Sequence, residues 1–398
     1  MEISKTKFFD PSTTFRMPLR QAQDEREQQI PLMVSLLTHC SQKFSQHSPL
    51  HFLLSELQCA MRIVALFSVL IFSSSFVRAE ILGPELFHNV MRATELAYAD
   101  HLLESLDAFQ NIQKEFPDHP VGYFYEIAVL EKMQSDYMNN YREDDFDPLF
   151  KKAMQIAEQF IKDHPNDPQG YFFLGGIQGF YGIHYYRLGE LFSVFSYALS
   201  GVNNMCKVKQ MDPLLYDVYY GLGSYTYWKA AKAPFLYFFG RARQEDKERG
   251  ISDLMTAARK GVYSIYEARG ALVKVLMNER RHREAIHWLE ETLEKYPTAL
   301  YAYRFRTEIY LKDKNWQGVF DDASIMEKLI AQKNYAGPEA FVNALYLKGF
   351  SAMKLQRKTE AVEAFRKCVA IGEPAKKTML EYGPWVVKAK KFLRKLEP

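Results

Sequence analysis

The chain has little of what marks a metal site, a nucleic-acid binder or a common enzyme. Its four cysteines, Cys40, Cys59, Cys206 and Cys368, form no Cys-x-x-Cys pair and no zinc-like spacing with histidine. Neither a structural metal nor a disulfide framework is therefore expected. Charge of one sign is not in surplus: 51 basic and 48 acidic residues leave a net +3, too little to displace the counterions of a nucleic acid. Asn-Gly and Asp-Gly turns between alternating runs are missing, which argues against β-hairpins. There is no HExxH, GxSxG or GxxxxGK[ST], and no GxGxxG that follows a strand. Catalysis and a bound cofactor are accordingly not expected. What is present, 47% hydrophobic residues and 15% aromatics including 25 tyrosines, is ample for a folded core.

The clearest local pattern lies at 61–79. Met61-Arg62 gives a start and a positive charge, Ile63 to Phe76 is apolar, and Val77-Arg78-Ala79 precedes Glu80. That is the layout of a secretory signal peptide, with cleavage expected between Ala79 and Glu80. The run is shorter than the ~20 residues of a membrane-spanning helix, and no cysteine follows it as a lipid acceptor. Residues 1–60, rich in Gln, Ser and His, read as a non-native or disordered extension, with Met61 the start. A long targeting extension, or 63–77 as a buried or anchoring helix, is the alternative. The mature chain is expected to be periplasmic or secreted.

A loop and helix start recur along the rest. Pro117-Asp118-His119-Pro120-Val121-Gly122-Tyr123-Phe124 returns as Pro165-Asn166-Asp167-Pro168-Gln169-Gly170-Tyr171-Phe172. Asp212-Pro213 with Tyr216 and Gly221, then Tyr296-Pro297 with Tyr301, continue the series. Between these loops apolar residues recur three and four apart, as in helices, and proline suits a first helical turn. The second helix of each pair repeats one spacing: Ser105, Phe109, Ile112, Pro117; Ala153, Ala157, Phe160, Pro165; Ala285, Leu289, Thr292, Pro297; and Ala361, Phe365, Cys368, with Gly349 on the preceding helix.

In these residues the chain resembles the tetratricopeptide repeat family, of an exported bacterial type, over about 85–375. The resemblance implies an all-α fold: a right-handed superhelix, or solenoid, of helix hairpins with a concave groove. Small residues would let paired helices approach and an aromatic would fill the gap. Several units depart from the family's length and lack its Trp and Leu-Gly positions. The pairs are expected at 85–117, 120–165, 168–212, 213–261, 262–297, 298–333 and 336–373, followed by a basic capping helix from Pro384 to Leu396. The acidic turn 143–145 and the stretch 231–250 read as insertions.

The central third is unusual in its glycines: Gly175, Gly176, Gly179, Gly182, Gly221 and Gly223 sit among many tyrosines. Each glycine costs a helix ~1 kcal/mol, so they imply close backbone contact with a neighbouring helix or with a ligand. The binding candidates are Tyr171, Tyr181, His184, Tyr185, Tyr220, Tyr225 and Trp228, whose rings join apolar area to a polar tip, with Arg241 and Arg243. The apolar loop 233–240 either tucks into the core or touches a membrane surface or a partner. His119 and His164, in equivalent loops, read as solvent-exposed. The leading expectation is a scaffold or adaptor that binds a protein or peptide partner in its groove. The second is a carrier of a glycan, lipid or other small ligand on the central aromatics. Both rest on analogy of fold.

Overall fold

The computed structural model describes residues 82–139, 141–232, 240–375 and 382–397. The segment 61–79, the cleavage pair Ala79-Glu80, the extension 1–60 and the apolar loop 233–239 lie outside them. Among the described residues all regular structure is helical. The helices are α1 (Pro84–Tyr98), α2 (Leu102–Glu115), α3 (Val121–Tyr137), α4 (Phe146–Asp163), α5 (Pro168–Leu188), α6 (Leu191–Met211), α7 (Val218–Lys232), α8 (Gly240–Lys260), α9 (Ile265–Asn278), α10 (His282–Lys295), α11 (Leu300–Lys312), α12 (Trp316–Ala331), α13 (Pro338–Lys354), α14 (Lys358–Ala375) and α15 (Gly383–Leu396). A short 3₁₀ turn, Glu143–Asp145, precedes α4.

From α1 to α13 each odd-numbered helix pairs with the even one after it, the pairs stack in chain order, and α15 packs on the last pair. The recurring loops start helices for local reasons. Asp167 accepts the Gln169 N–H at 2.8 Å, and Pro168 occupies the first turn of α5; Pro84 and Pro338 sit likewise after a glycine. The turns inside five pairs share one stop. Asp100, Gly189, Arg280, Lys314 and Gln356 are left-handed, and the next N–H reaches back to the helix: His101 to Leu96 O, Glu190 to Tyr185 O, Arg281 to Leu276 O, Asn315 to Tyr310 O and Arg357 to Ala352 O, at 2.8–3.0 Å. This Schellman closure satisfies carbonyls that a helix end leaves open.

The two helices of a pair do different jobs. Even helices bury one stripe: α4 buries Phe146, Phe150, Ala153 and Ala157. Odd helices are buried on several sides, as α3 is at Tyr123, Tyr125, Ile127, Val129, Leu130 and Met133, because they pack on their own partner and on the odd helices beside them. A helix apolar all round belongs in such a middle layer. The small residues read from the sequence sit at helix crossings: Ser105 Oγ donates to Ala93 O at 2.8 Å, and a Cβ on Gly349 would stand 2.8 Å from the Phe365 ring.

The central glycines serve neighbouring helices. A Cβ on Gly175 would meet Gly201 O at 3.0 Å, and one on Gly201 would meet Gly175 O at 2.8 Å. Gly223 on α7 and Gly250 on α8 form the same reciprocal contact at 2.9 and 2.8 Å. Two expectations are corrected. Residues 240–250 are the first half of α8 rather than an insertion; the run is charged because it is surface helix, with Arg241 paired to Glu245 at 2.9 Å one turn on. His119 is half-buried rather than solvent-exposed, wedged edge-on between Phe160 and Phe173. It accepts the Val121 N–H at 3.1 Å and bridges to Gln169 at 2.8 Å.

Candidate functional site

The odd-numbered helices bring residues far apart in sequence onto one interior face. The first pair meets the fifth there. Tyr98, at the end of α1, donates its hydroxyl to Glu267 on α9, and its ring lies 4.2 Å from Tyr266 and 5.7 Å from Tyr296. Glu95 accepts from the Tyr296 hydroxyl at 2.5 Å and pairs with Lys295 at 3.0 Å, while Thr298 Oγ1 donates to Ala99 O at 2.9 Å. The second pair meets the fifth to seventh. Tyr125 donates to Tyr263 O at 3.0 Å, Arg304 donates to Ser135 O at 2.5 Å and pairs with Asp136 at 3.3 Å, and the Gly337 N–H reaches Tyr137 O at 2.9 Å. Asp100, itself in a left-handed turn, takes Tyr137's hydroxyl and the Lys333 ammonium at 3.1 Å.

One buried carboxylate sets the register of this face. Asp217, in the turn before α7, accepts from the backbone N–H of Val262, Tyr263 and Ser264 at 2.7–3.0 Å and from Ser264 Oγ at 2.8 Å. Ser264 makes no side-chain cap of its own helix; Asp217, from the neighbouring pair, holds the three residues that lead into it. The start of α9 is thereby fixed, and with it Glu267 and Lys274, which are two turns apart on the same side.

The electrostatics show which of these groups stand in a recess. Burial pushes the Glu267 carboxyl above its usual range, and the hydrogen bond from Tyr98 pulls it back. Burial also raises the Tyr220 and Tyr301 hydroxyls, with Glu267 adding to both. Lys274 goes the other way: burial, then the Arg304 guanidinium, lower its ammonium, and Asp136 opposes them. Yet the Lys274 side chain keeps open surface. A group both wetted and desolvated stands in a narrow space with protein around it. It lies 5.4 Å from the Phe305 ring and forms no ion pair among the described residues. Tyr220, Glu267 and Lys274 thus offer a hydroxyl, a carboxyl and a cation to whatever enters, with the buried Tyr301 hydroxyl behind them.

The candidates named from sequence do not share one groove. Tyr220 is on the interior face. Tyr181 is buried, stacked 4.4 Å from Phe150, and donates to Asp147. His184 stacks 5.6 Å from Phe146, and burial followed by Arg187 lowers its imidazole. Tyr185 stacks 5.6 Å from Tyr197. These three therefore join α5 to α4 and α6. Lys207 covers the Tyr171 ring at 3.8 Å, Lys229 lies 5.8 Å over Tyr225, and Lys232 lies 5.5 Å over Trp228. Arg241 is almost wholly exposed, and Arg243 donates to Ala230 O at 2.7 Å, closing the end of α7. Sequence reasoning missed Tyr98, Glu267, Lys274 and Tyr301. The readable signal for two of them was Glu267 and Lys274, charges seven apart on a largely apolar helix whose other charge, Arg269, pairs with Glu291.

Residues 343–371 match the tetratricopeptide repeat model, the stretch that holds α13 from Asn343 and most of α14. Among solved structures the chain is similar to the Cut9–Hcn1 hetero-tetramer of the APC/C, at 13% identity over 81% of this chain and 57% of that one, with a TM-score of 0.46. It is also similar to the C-terminal part of a repeat-containing protein of Cytophaga hutchinsonii, at 13% over 73% and 98%, TM-score 0.40, and to a thermophilic repeat protein of Thermus thermophilus, at 14% over 56% and 98%, TM-score 0.37. No curated protein matches. Among the described residues no helix is long and apolar enough to cross a membrane, and no cluster of three or more His, Cys, Asp or Glu could hold a metal.

Proposed function

From the premise that this chain carries a tetratricopeptide repeat within a stack of helix pairs, we propose that it is a noncatalytic scaffold that holds a segment of a protein partner against its odd-helix face. The observation that supports this reading is the face of Tyr220, Glu267 and Lys274, where the Lys274 side chain keeps open surface although protein surrounds it. Desolvated hydrogen-bonding groups of this kind bind more strongly than the same groups on an open surface. A photo-crosslinking residue in place of Lys274 tests it. A discrete crosslinked protein is expected from that position and none from Glu290, on the outer side of α10. Identical products from both positions, or none from Lys274, overturn it.

The enclosure of that face by the first two pairs favours one second reading, a carrier of a glycan- or lipid-sized ligand. It predicts saturable quenching of tyrosine fluorescence by such a ligand, lost in Tyr220→Phe with the helical circular dichroism intact. We also propose export: the charged start, apolar run and Ala79-Glu80 junction at 61–80 have the layout signal peptidase reads. N-terminal sequencing of the native protein is expected to begin at Glu80. A chain that retains 61–79 rejects cleavage.

A further inference from the structure

We propose that copies of this chain join head to tail, the basic outer face of α15 in one copy docking on the acidic outer face of α2 in the next. The two ends of the array carry opposite charge. Residues 82–118 hold seven acidic and two basic side chains, and residues 382–397 hold five basic and one acidic, although the whole chain is near balance at +3. The two faces are also built alike. Both helices are 14 residues long, about 21 Å. α15 packs Val386, Ala389 and Phe392 on the last pair, and Lys388, Lys391 and Lys395 fall at i, i+3 and i+7 on its exposed side, with Arg394 beside them. α2 buries Leu102, Leu106, Phe109 and Ile112, and Glu104, Asp107, Asn111 and Glu115 fall at i, i+3, i+7 and i+11 on its exposed side. Residues so spaced share one face of a helix.

Neither stripe is neutralised within its own copy. Among the described residues α15 is held to α14 by Lys390, 3.4 Å from Glu373, while Lys388, Lys391, Arg394 and Lys395 join no ion pair. On α2, Asp107 and Glu115 likewise join none, and Glu104 meets only His101, at 3.3 Å. Lys114, the cation beside that stripe, donates to Asn111 at 3.1 Å. On α14, by contrast, Lys367 is paired in place with Glu363 at 3.0 Å and Glu327 at 3.3 Å. A two-fold contact would set either stripe against its like and repel, so the attractive contact joins the two different faces and repeats from copy to copy. Apart from exposed Val387, the apolar side of α15 is already packed on the last pair, which leaves no apolar face for a bilayer. Exposed ion pairs are individually weak and screened by salt, so the contact is reversible and depends on ionic strength.

The test is sedimentation velocity on the full chain from about 5 to 500 µM, in about 0.02 M and about 0.5 M salt, a range over which surface charges pass from weakly to strongly screened. The wild type is expected to gain mass with concentration at low salt, with a dissociation constant at least about tenfold weaker at high salt. Two charge reversals follow, Lys388→Glu/Lys391→Glu/Lys395→Glu on α15 and Glu104→Lys/Asp107→Lys/Glu115→Lys on α2. Each alone is expected to stay monomeric at unchanged helical circular dichroism, because both of its ends then carry one sign. Mixed in equal amounts, the two variants are expected to associate again, since each end of one meets its opposite on the other. A wild type monomeric at low salt throughout overturns the proposal, as does association that survives either reversal or a mixture that stays monomeric. A monomer that co-sediments with phosphatidylglycerol vesicles, and loses this with the α15 reversal, assigns the basic face to anionic lipid and overturns it too.

Discussion

The interior seam and the outer surfaces of α5 and α6 both carry aromatic side chains, and they end in opposite states. At the seam Tyr98, Tyr125 and Tyr137 each find an acceptor contributed by a distant part of the chain or by the turn inside the preceding pair, and all three are buried. On those outer surfaces Tyr186 and Phe192 stay 68% and 88% exposed. The helices themselves are built alike, with the same turns and the same small-residue crossings. The difference is whether another pair comes back to cover the face. A repeat array can cover only what its own curvature brings together.

The comparison predicts a graded series of effects. Tyr98→Ala removes a buried ring and leaves Glu267 without its donor, so the largest loss is expected there, about 3–5 kcal/mol. Hydrogen exchange should show α1 and α2 released while α13 to α15 stay protected. Equal protection throughout means the seam does not hold the first pair. Gly201→Val tests the inner side of the bare pair. Its Cβ would meet Gly175 O at 2.8 Å, and helices that cannot separate freely lose about 1–3 kcal/mol, read by chemical denaturation.

Acid should divide the two regions without mutation. The folded-state pKa of His184 lies below its unfolded value, as does that of His119, in both cases chiefly through burial. Below the unfolded value of ~6.5 the unfolded chain binds more protons, so the layer formed by α3 to α5 loses stability from about neutral downward. Burial raises Glu267 and Asp100 instead. Their folded forms take the proton first, and the seam gains as pH falls through those raised values and loses as pH rises through them. Exchange at pH 7 and pH 5.5, corrected for intrinsic rate, should weaken 181–188 and leave 84–98 at least as protected. The reverse pattern breaks the assignment. The smallest effect is expected for Phe192→Ser, within about 0.5 kcal/mol by denaturation of the monomer, because its ring touches mainly water.

The helix pairs were legible because their signals are local. The Pro-led loops start α3 and α5, and Ala361, Phe365 and Cys368 face inward with Gly349 opposite, as their spacing implied. The glycines announced close approach, although the periodicity could not say whether a helix or a ligand came close; Gly175 with Gly201 and Gly223 with Gly250 show a helix. The site was mostly illegible. Tyr98 and Glu267 are 169 residues apart, and no window of sequence holds both. Tyr181, His184 and Tyr185 carry the residue types of a binding groove and instead stitch α5 to its neighbours.

The sequence by itself determined helices, their pairing and their stops, since turn chemistry and a 3.6-residue period act over a few positions. Only the tertiary structure decided which faces those helices cover. That depends on how small rotations between successive pairs accumulate until the first two meet the fifth to seventh. It is also why Glu267 is enclosed while Phe192 is not.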